Sequence, residues 1–211
     1  LTAQVLTFAT DDLALDKHKA VLVKLEDIAQ LQAKPDVVRE IMMRMGTELA
    51  LQIDKDIMTQ LVLTSASAPD HRIAYAGSAI AQADILEARR LLYVQNVPFN
   101  ECYLAISPTQ EKALLGIADF VRADAYGDAR GLIRGEIGTL YGCKVIVSNV
   151  VADAKSVVYH PTHVAFALQQ SLNFEKDRDL DNIATKYLAS QIYGMKVLDS
   201  GNRGVVLGTA T

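Results

Sequence analysis

Residues 35–63, PDVVREIMMRMGTELALQIDKDIMTQLVL, decide how the rest of the chain is read. Val38, Ile41, Met42, Met45, Leu49, Ile53, Ile57 and Leu61 recur at steps of three and four, which draws one apolar stripe along a helix. Arg39, Glu40, Arg44, Glu48, Gln52, Asp54, Lys55 and Asp56 fall largely off that stripe. Pro35 suits the first turn, and Asp36 places a carboxylate near the helix N-terminus. The stretch Thr64-Ser65-Ala66-Ser67-Ala68-Pro69-Asp70 then stops it. The predicted helix has about 28 residues and is roughly 42 Å long. Globular helices usually run about 8–20 residues. Such a helix suits a long core element, a coiled-coil strand or the spine of an elongated subunit.

Upstream, Leu13, Leu15, Val21, Val23 and Leu25 alternate with polar or small residues, as in a strand with one covered face. Lys17 and Lys19 interrupt that face, which points to an arm rather than a central strand. Downstream, Ile73–Ser78 reads as a connection, and Ser78 as the cap of a helix over 79–95 with Ala81, Ile85, Ala88 and Leu92 inward. Cys102–Ile106 reads as a strand, and Ser107-Pro108 opens a helix to about Ala118. Residues 119–131 read as loop. Glycines at 135, 138 and 142 mark a turn-rich β segment that ends in the strand Lys144–Ser148. Val157–His160 is a further strand, and Pro161 starts a helix to about Gln170. Leu172–Glu175 is extended. Asp179 is expected to cap a last helix with Leu180, Ile183, Ala184, Tyr187, Leu188 and Ile192 inward, closed by Gly194. Met195–Leu207 reads as two strands around Asp199-Ser200-Gly201-Asn202.

Composition narrows the function. Of 211 residues, 50% are hydrophobic and 22% charged, enough apolar surface for a core. Net charge is −4 with the signs interspersed, so no basic patch for phosphate contacts stands out. No apolar run approaches transmembrane length, and no secretory signal is visible. Cys102 and Cys143 form no disulfide framework and fit a reducing cytoplasm. The first residue is Leu rather than Met, so the chain is either processed or preceded by further residues.

No chemistry asserts itself. Gly131, Gly135, Gly138 and Gly142 do not spell a dinucleotide or phosphate loop, and the G-x-x-G at 135–138 lacks flanking basic residues. His160 and His163 with Cys102 and Cys143 lack the paired spacing of structural zinc, and His160 is better read as a helix cap. Ser107 is likewise better read as a cap than as a nucleophile. Asp54 with Asp56, and Asp177, Asp179 and Asp181, offer paired carboxylates, but such clusters on turns and helix starts are usually solvated. These residues predict no catalytic, metal or cofactor site.

Three stretches together resemble one family. They are residues 13–27, LALDKHKAVLVKLED, leading into the long helix; residues 135–149, GEIGTLYGCKVIVSN; and residues 179–207 with the sequence Tyr193-Gly194-Met195-Lys196-Val197-Leu198. In order and spacing they resemble the major capsid proteins of tailed bacteriophages, which share the Hong Kong 97 capsid fold. The resemblance implies an α+β fold: an E-loop arm over 1–27, the spine helix of the peripheral (P) domain over 28–65, an axial (A) domain over 66–167, and the P-domain return with closing strands over 168–211. It implies a structural role in an icosahedral shell of hexamers and pentamers, assembled in the bacterial cytoplasm and enclosing double-stranded DNA without sequence-specific contacts. Portal, scaffold and decoration proteins are its implied partners, with no membrane and no cofactor. The arm residues expected to serve assembly are Leu13, Leu15, Lys17, Lys19 and Val21. Some family members fuse subunits through an E-loop lysine and a P-domain asparagine. Lys17, Lys19 and Asn182 are the nearest residue types here, with exposed lysines and a cap amide as the plain reading. The alternatives are an encapsulin-type nanocompartment within the same fold and a small enzyme using the 177–181 region.

Overall fold

The expected long helix is present as α1, Val37–Leu61. The structure is a computed structural model that describes residues 12–28, 37–66, 70–75, 77, 79–116 and 139–208. The expectations for Pro35 and Asp36, the Ser78 cap, the 119–131 loop and glycines 131, 135 and 138 lie outside these residues. At 1.5 Å per residue α1 is about 37 Å long. Met45, Leu49 and Leu61 of the apolar stripe are buried, and Val38, Ile41 and Met42 pack beside them.

The stripe is covered by a three-stranded antiparallel sheet in the order β1 (Lys17–Glu26), β8 (Ala184–Val197), β7 (Val164–Asp179). β1 pairs with β8 over ten residues, from Lys17 opposite Tyr193 to Glu26 opposite Ala184. Its odd-numbered residues turn inward and its even-numbered ones outward, the period-2 alternation expected of a half-covered strand. Leu25, Tyr187 and Ala189 meet Met45 and Leu49 in one core, with Val21 and Val23 beside them.

Two expectations fail in this sheet. Residues 179–193 form no helix: Asp179 ends β7, residues 180–183 turn, and β8 follows. The helical spacing of Leu180, Ile183, Tyr187 and Leu188 is coincidental, because Leu180 and Ile183 stand in solvent at 81% and 66% exposure. β8 is the central strand and is largely buried on both faces, which erases the alternation that would have revealed it. Likewise Pro161 starts a single 3-10 turn, Pro161–His163, before β7. Long-range pairing with β8 outweighs local helical preference there.

The second sheet is mixed, in the order β2 (Arg72–Ala74), β9 (Gly204–Gly208), β6 (Lys155–Tyr159), β3 (Tyr103–Ile106), β5 (Cys143–Val147), β4 (Thr139–Leu140). Strand β2 lies in a stretch read as a connection, and three residues are too few to show a period. Helices α2 (Gln82–Val94) and α3 (Pro108–Leu115) complete this part. α2 starts later than expected, where the Asp84 carboxylate accepts the Ala81 N–H at 2.9 Å. Ser107 caps α3 as expected, accepting the Gln110 N–H at 3.3 Å. The core contains Ile85, Leu92, Phe99, Leu104, Val158 and Leu207. The strands on either side of Asp199–Asn202 do not form a hairpin, since β8 and β9 belong to different sheets. Residues 168–208 therefore divide between the sheets.

Candidate assembly surfaces

Of the five expected arm residues, Lys17, Lys19 and Val21 lie in β1, inside the chain's own sheet. Within the stretch expected as an arm over 1–27, residues 17–26 thus form a paired strand of the chain's own sheet. Lys17 and Lys19 do not spoil the inward face; they join it where α1 offers a carboxylate. Lys17 Nζ stands 3.3 Å from Asp56 Oδ2, the Tyr193 hydroxyl donates to the same oxygen at 2.8 Å, and Gln52 donates to Oδ1 at 3.0 Å. Burial pushes the Asp56 carboxyl up, but the hydrogen bonds from Tyr193 and Lys17 and the charges of Lys17 and Lys19 together hold it below the ordinary carboxylate range. Gln191 Nε2 adds a bond to the Leu49 carbonyl at 3.1 Å. This polar seam joins β1, α1 and β8. Tyr193→Phe is expected to lower stability by about 1.5–3 kcal/mol, the worth of a hydrogen bond to a charged group. Urea unfolding of the full chain measures it, and an unchanged midpoint would contradict that role.

Leu13 is half-buried and Leu15 is exposed. This stretch crosses β8 at Gly194, where an added Cβ would collide with the backbone of Ala14 and Leu15. Lys196 Nζ fixes the crossing by donating to the Asp12 carbonyl at 2.8 Å. Gly194 thus serves a close approach of two backbones, not the end of a helix.

The opposite end of the sheet is apolar at its tip. Ile28, Leu180 and Ile183 are each about two-thirds exposed or more, and the Asp27 N–H bonds the Ile183 carbonyl at 3.3 Å. Ile183 has φ +46°, an uncommon backbone for a β-branched residue. Ion pairs rim the tip: Arg178 with both Asp27 oxygens at 2.7 Å, and Asp179 with Lys186 at 3.0 Å and Lys24 at 3.8 Å. Asn182 donates to Asp179 at 3.1 Å, so it braces the turn instead of capping a helix. Asp177 accepts the Arg178 N–H at 2.8 Å. Asp179 is thereby held among cations. Hairpin tips carry no sequence period, so the tip was visible only as two apolar residues misassigned to a helix face.

The other candidates have structural places. His160 accepts the Thr162 N–H at 3.3 Å, the expected cap, though of one 3-10 turn. Cys102 and Cys143 are buried in the core of the six-stranded sheet, and burial pushes both thiols up to about 12. No group of three or more His, Cys, Asp or Glu that could hold a metal occurs among the described residues. None of their helices is long and apolar enough to cross a membrane.

A family model described as phage capsid protein matches residues 10–207. The chain belongs to the phage capsid protein family. As a capsid protein it has the Hong Kong 97-like fold and a structural role in the head of a tailed phage. It superposes on a structure from Mycobacterium phage Che8 with a TM-score of 0.79 at 27% identity, covering 95% of this chain and 76% of that one. A capsid structure of the cyanophage P-SCSP1u gives 0.76 at 17% identity, covering 100% and 81%. The mature capsid of bacteriophage PhiM1 gives 0.71 at 14%, covering 99% and 77%. No curated protein sequence matches the chain. Nothing in these comparisons favours the nanocompartment or the small enzyme. Membership of this family carries a place in the virion capsid.

Proposed function

We propose that copies of this capsid protein close into an icosahedral shell of hexamers and pentamers around packaged double-stranded DNA, after assembly in the host cytoplasm. The family match across residues 10–207 carries the reading. The role is structural, with no catalytic step. The P domain is α1 with the three-stranded sheet, and the A domain is the six-stranded sheet with α2 and α3. The arm is the stretch before β1, including Leu13 and Leu15. Lys17, Lys19 and Val21 anchor it to the subunit. Portal, scaffold and decoration proteins are further partners. The DNA is held by confinement, in keeping with a net charge of −4.

The tip formed by Ile28, Leu180 and Ile183 is an inter-copy contact on this reading. Clustered aliphatic side chains rimmed by charges have the make-up of an interface core and its rim. Electron microscopy of the expressed full chain tests the proposal. Uniform closed shells are expected from the native sequence, and a sharply reduced yield from Leu180→Lys with Ile183→Lys. A small oligomer of fixed size would overturn the shell reading. Normal shells from the double variant would overturn the role of the tip alone.

A further inference from the structure

Three segments cross between the two sheets: α1 to β2, β6 to β7, and β8 to β9. Backbone bonds stitch them together. Ser65 N–H reaches the Gly201 carbonyl at 3.1 Å, Leu198 N–H the His163 carbonyl at 2.9 Å, His160 N–H the Arg203 carbonyl at 3.0 Å, and Val206 N–H the His71 carbonyl at 2.9 Å. Gly201 has φ +80°, and a Cβ there would stand 2.8 Å from Ser65 N. Two of the crossings meet at that point without room for a side chain.

Two histidines fill this joint, and both are fully buried. His71 Nδ1 lies 2.8 Å from the Gly204 carbonyl, while its Nε2 makes no hydrogen bond among the described residues. The His163 ring lies against Gly204, where a Cβ would stand 2.7 Å from Cε1. Among the described residues neither nitrogen of His163 makes a hydrogen bond. The Leu61 carbonyl favours a proton on that ring without reaching good hydrogen-bond geometry.

The surrounding charges are committed elsewhere. α1 ends Met58-Thr59-Gln60-Leu61 without a charged residue. Arg203, before β9, pairs with Asp199 at 3.2 Å and donates to Thr162 at 2.6 Å. Asp70, before β2, accepts the Arg72 N–H at 3.1 Å. His160, in the β6 to β7 crossing, faces Glu101 at 3.3 Å. Among the described residues no carboxylate pairs with either buried ring. A proton placed there would be a buried charge with no counterion and a second imidazole beside it.

We propose that His163, buried beside His71, makes the joint between the two sheets acid-labile: its neutral ring lets the three crossings close, and its protonation opens them. The inference does not depend on the shell reading. Burial, with a smaller contribution from His71, pushes the His163 imidazole from 6.5 down to about 4. The open joint therefore binds a proton more readily than the closed one. Closure is fully favoured above pH 6.5 and weakens as pH falls from there toward 4. For His163 alone, those two values give about a 30-fold increase in opening at pH 5.

Hydrogen exchange of the full chain, corrected for the intrinsic effect of pH, reads that opening. Residues 62–66, 160–163 and 198–203 are expected to open about 30-fold more at pH 5 than at pH 7.5, while β3 stays unchanged. His163→Met keeps the bulk and removes the titration, and should flatten most of the response. Should that variant fail to fold, exchange at the imidazole C2 hydrogen of the native chain gives the His163 pKa directly, expected well below 6.5. Equal opening of the native crossings at both pH values, an unchanged response in folded His163→Met, or an ordinary His163 pKa would each overturn the proposal.

Discussion

Gly46→Pro is expected to abolish shells and to cost about 3 kcal/mol or more of stability. Gly46 lies well inside α1. Proline there removes the N–H that bonds the Met42 carbonyl, and its ring presses on the same turn. The damage is not local, because α1 holds its sheet at separate points. Met45 and Leu49 pack on Tyr187 and Ala189, and Asp56 holds Lys17 and Tyr193 further along. A kink between Met42 and Met45 cannot keep both ends in register with a paired sheet. The control is Gly46→Ala. An added Cβ would meet Leu172 Cδ2 at 3.6 Å, an ordinary contact, so alanine should stabilise the helix by about 0.5–1 kcal/mol. Urea unfolding and micrographs of both variants decide the matter. Native stability and normal shells from Gly46→Pro would mean that this turn of α1 carries no load.

Gly194→Val is expected to detach the arm without unfolding the sheet. β8 is held from both sides, by β1 over Lys17–Glu26 and by β7 over Val164–Asp179. Residues 12–16 belong to no strand; among the described residues they meet β8 at the Gly194 crossing and through the bond from Lys196 to the Asp12 carbonyl. A valine side chain would collide with the backbone of Ala14, which cannot rotate away as a side chain can. Overpacking of this kind costs about 1–3 kcal/mol when the structure must absorb it. Lifting this stretch avoids most of that cost. Hydrogen exchange at residues 12–16 should therefore rise at least about tenfold, the equivalent of roughly 1.4 kcal/mol, with β1 and β8 still protected. Shell yield should fall with it. Protection of 12–16 equal to that of the native chain would show that the crossing tolerates a side chain.

The sequence alone determined the elements whose pattern is local. The stripe from Val38 to Leu61 identified α1, because one uninterrupted face at a 3.6-residue period needs no partner to be recognised. The alternation from Val21 to Leu25 identified β1, and Ser107-Pro108 identified the start of α3. The capsid fold came instead from a family resemblance carried by residues 13–27 with the long helix, 135–149 and 179–207. Tertiary structure decided the rest. Residues 179–193 are strand and turn because β1 and β7 pair with β8 from both sides, and burial on both faces removed its period. Lys17 is an anchor rather than an interruption because α1 brings Asp56 to it from 39 positions away in the chain. Gly194 is a crossing point because residues 14 and 15 pass over it. His71 and His163 meet only because the chain passes between its two sheets three times. Contacts of that separation leave no spacing in a sequence, since the residues that form them are brought together by the packing of whole elements.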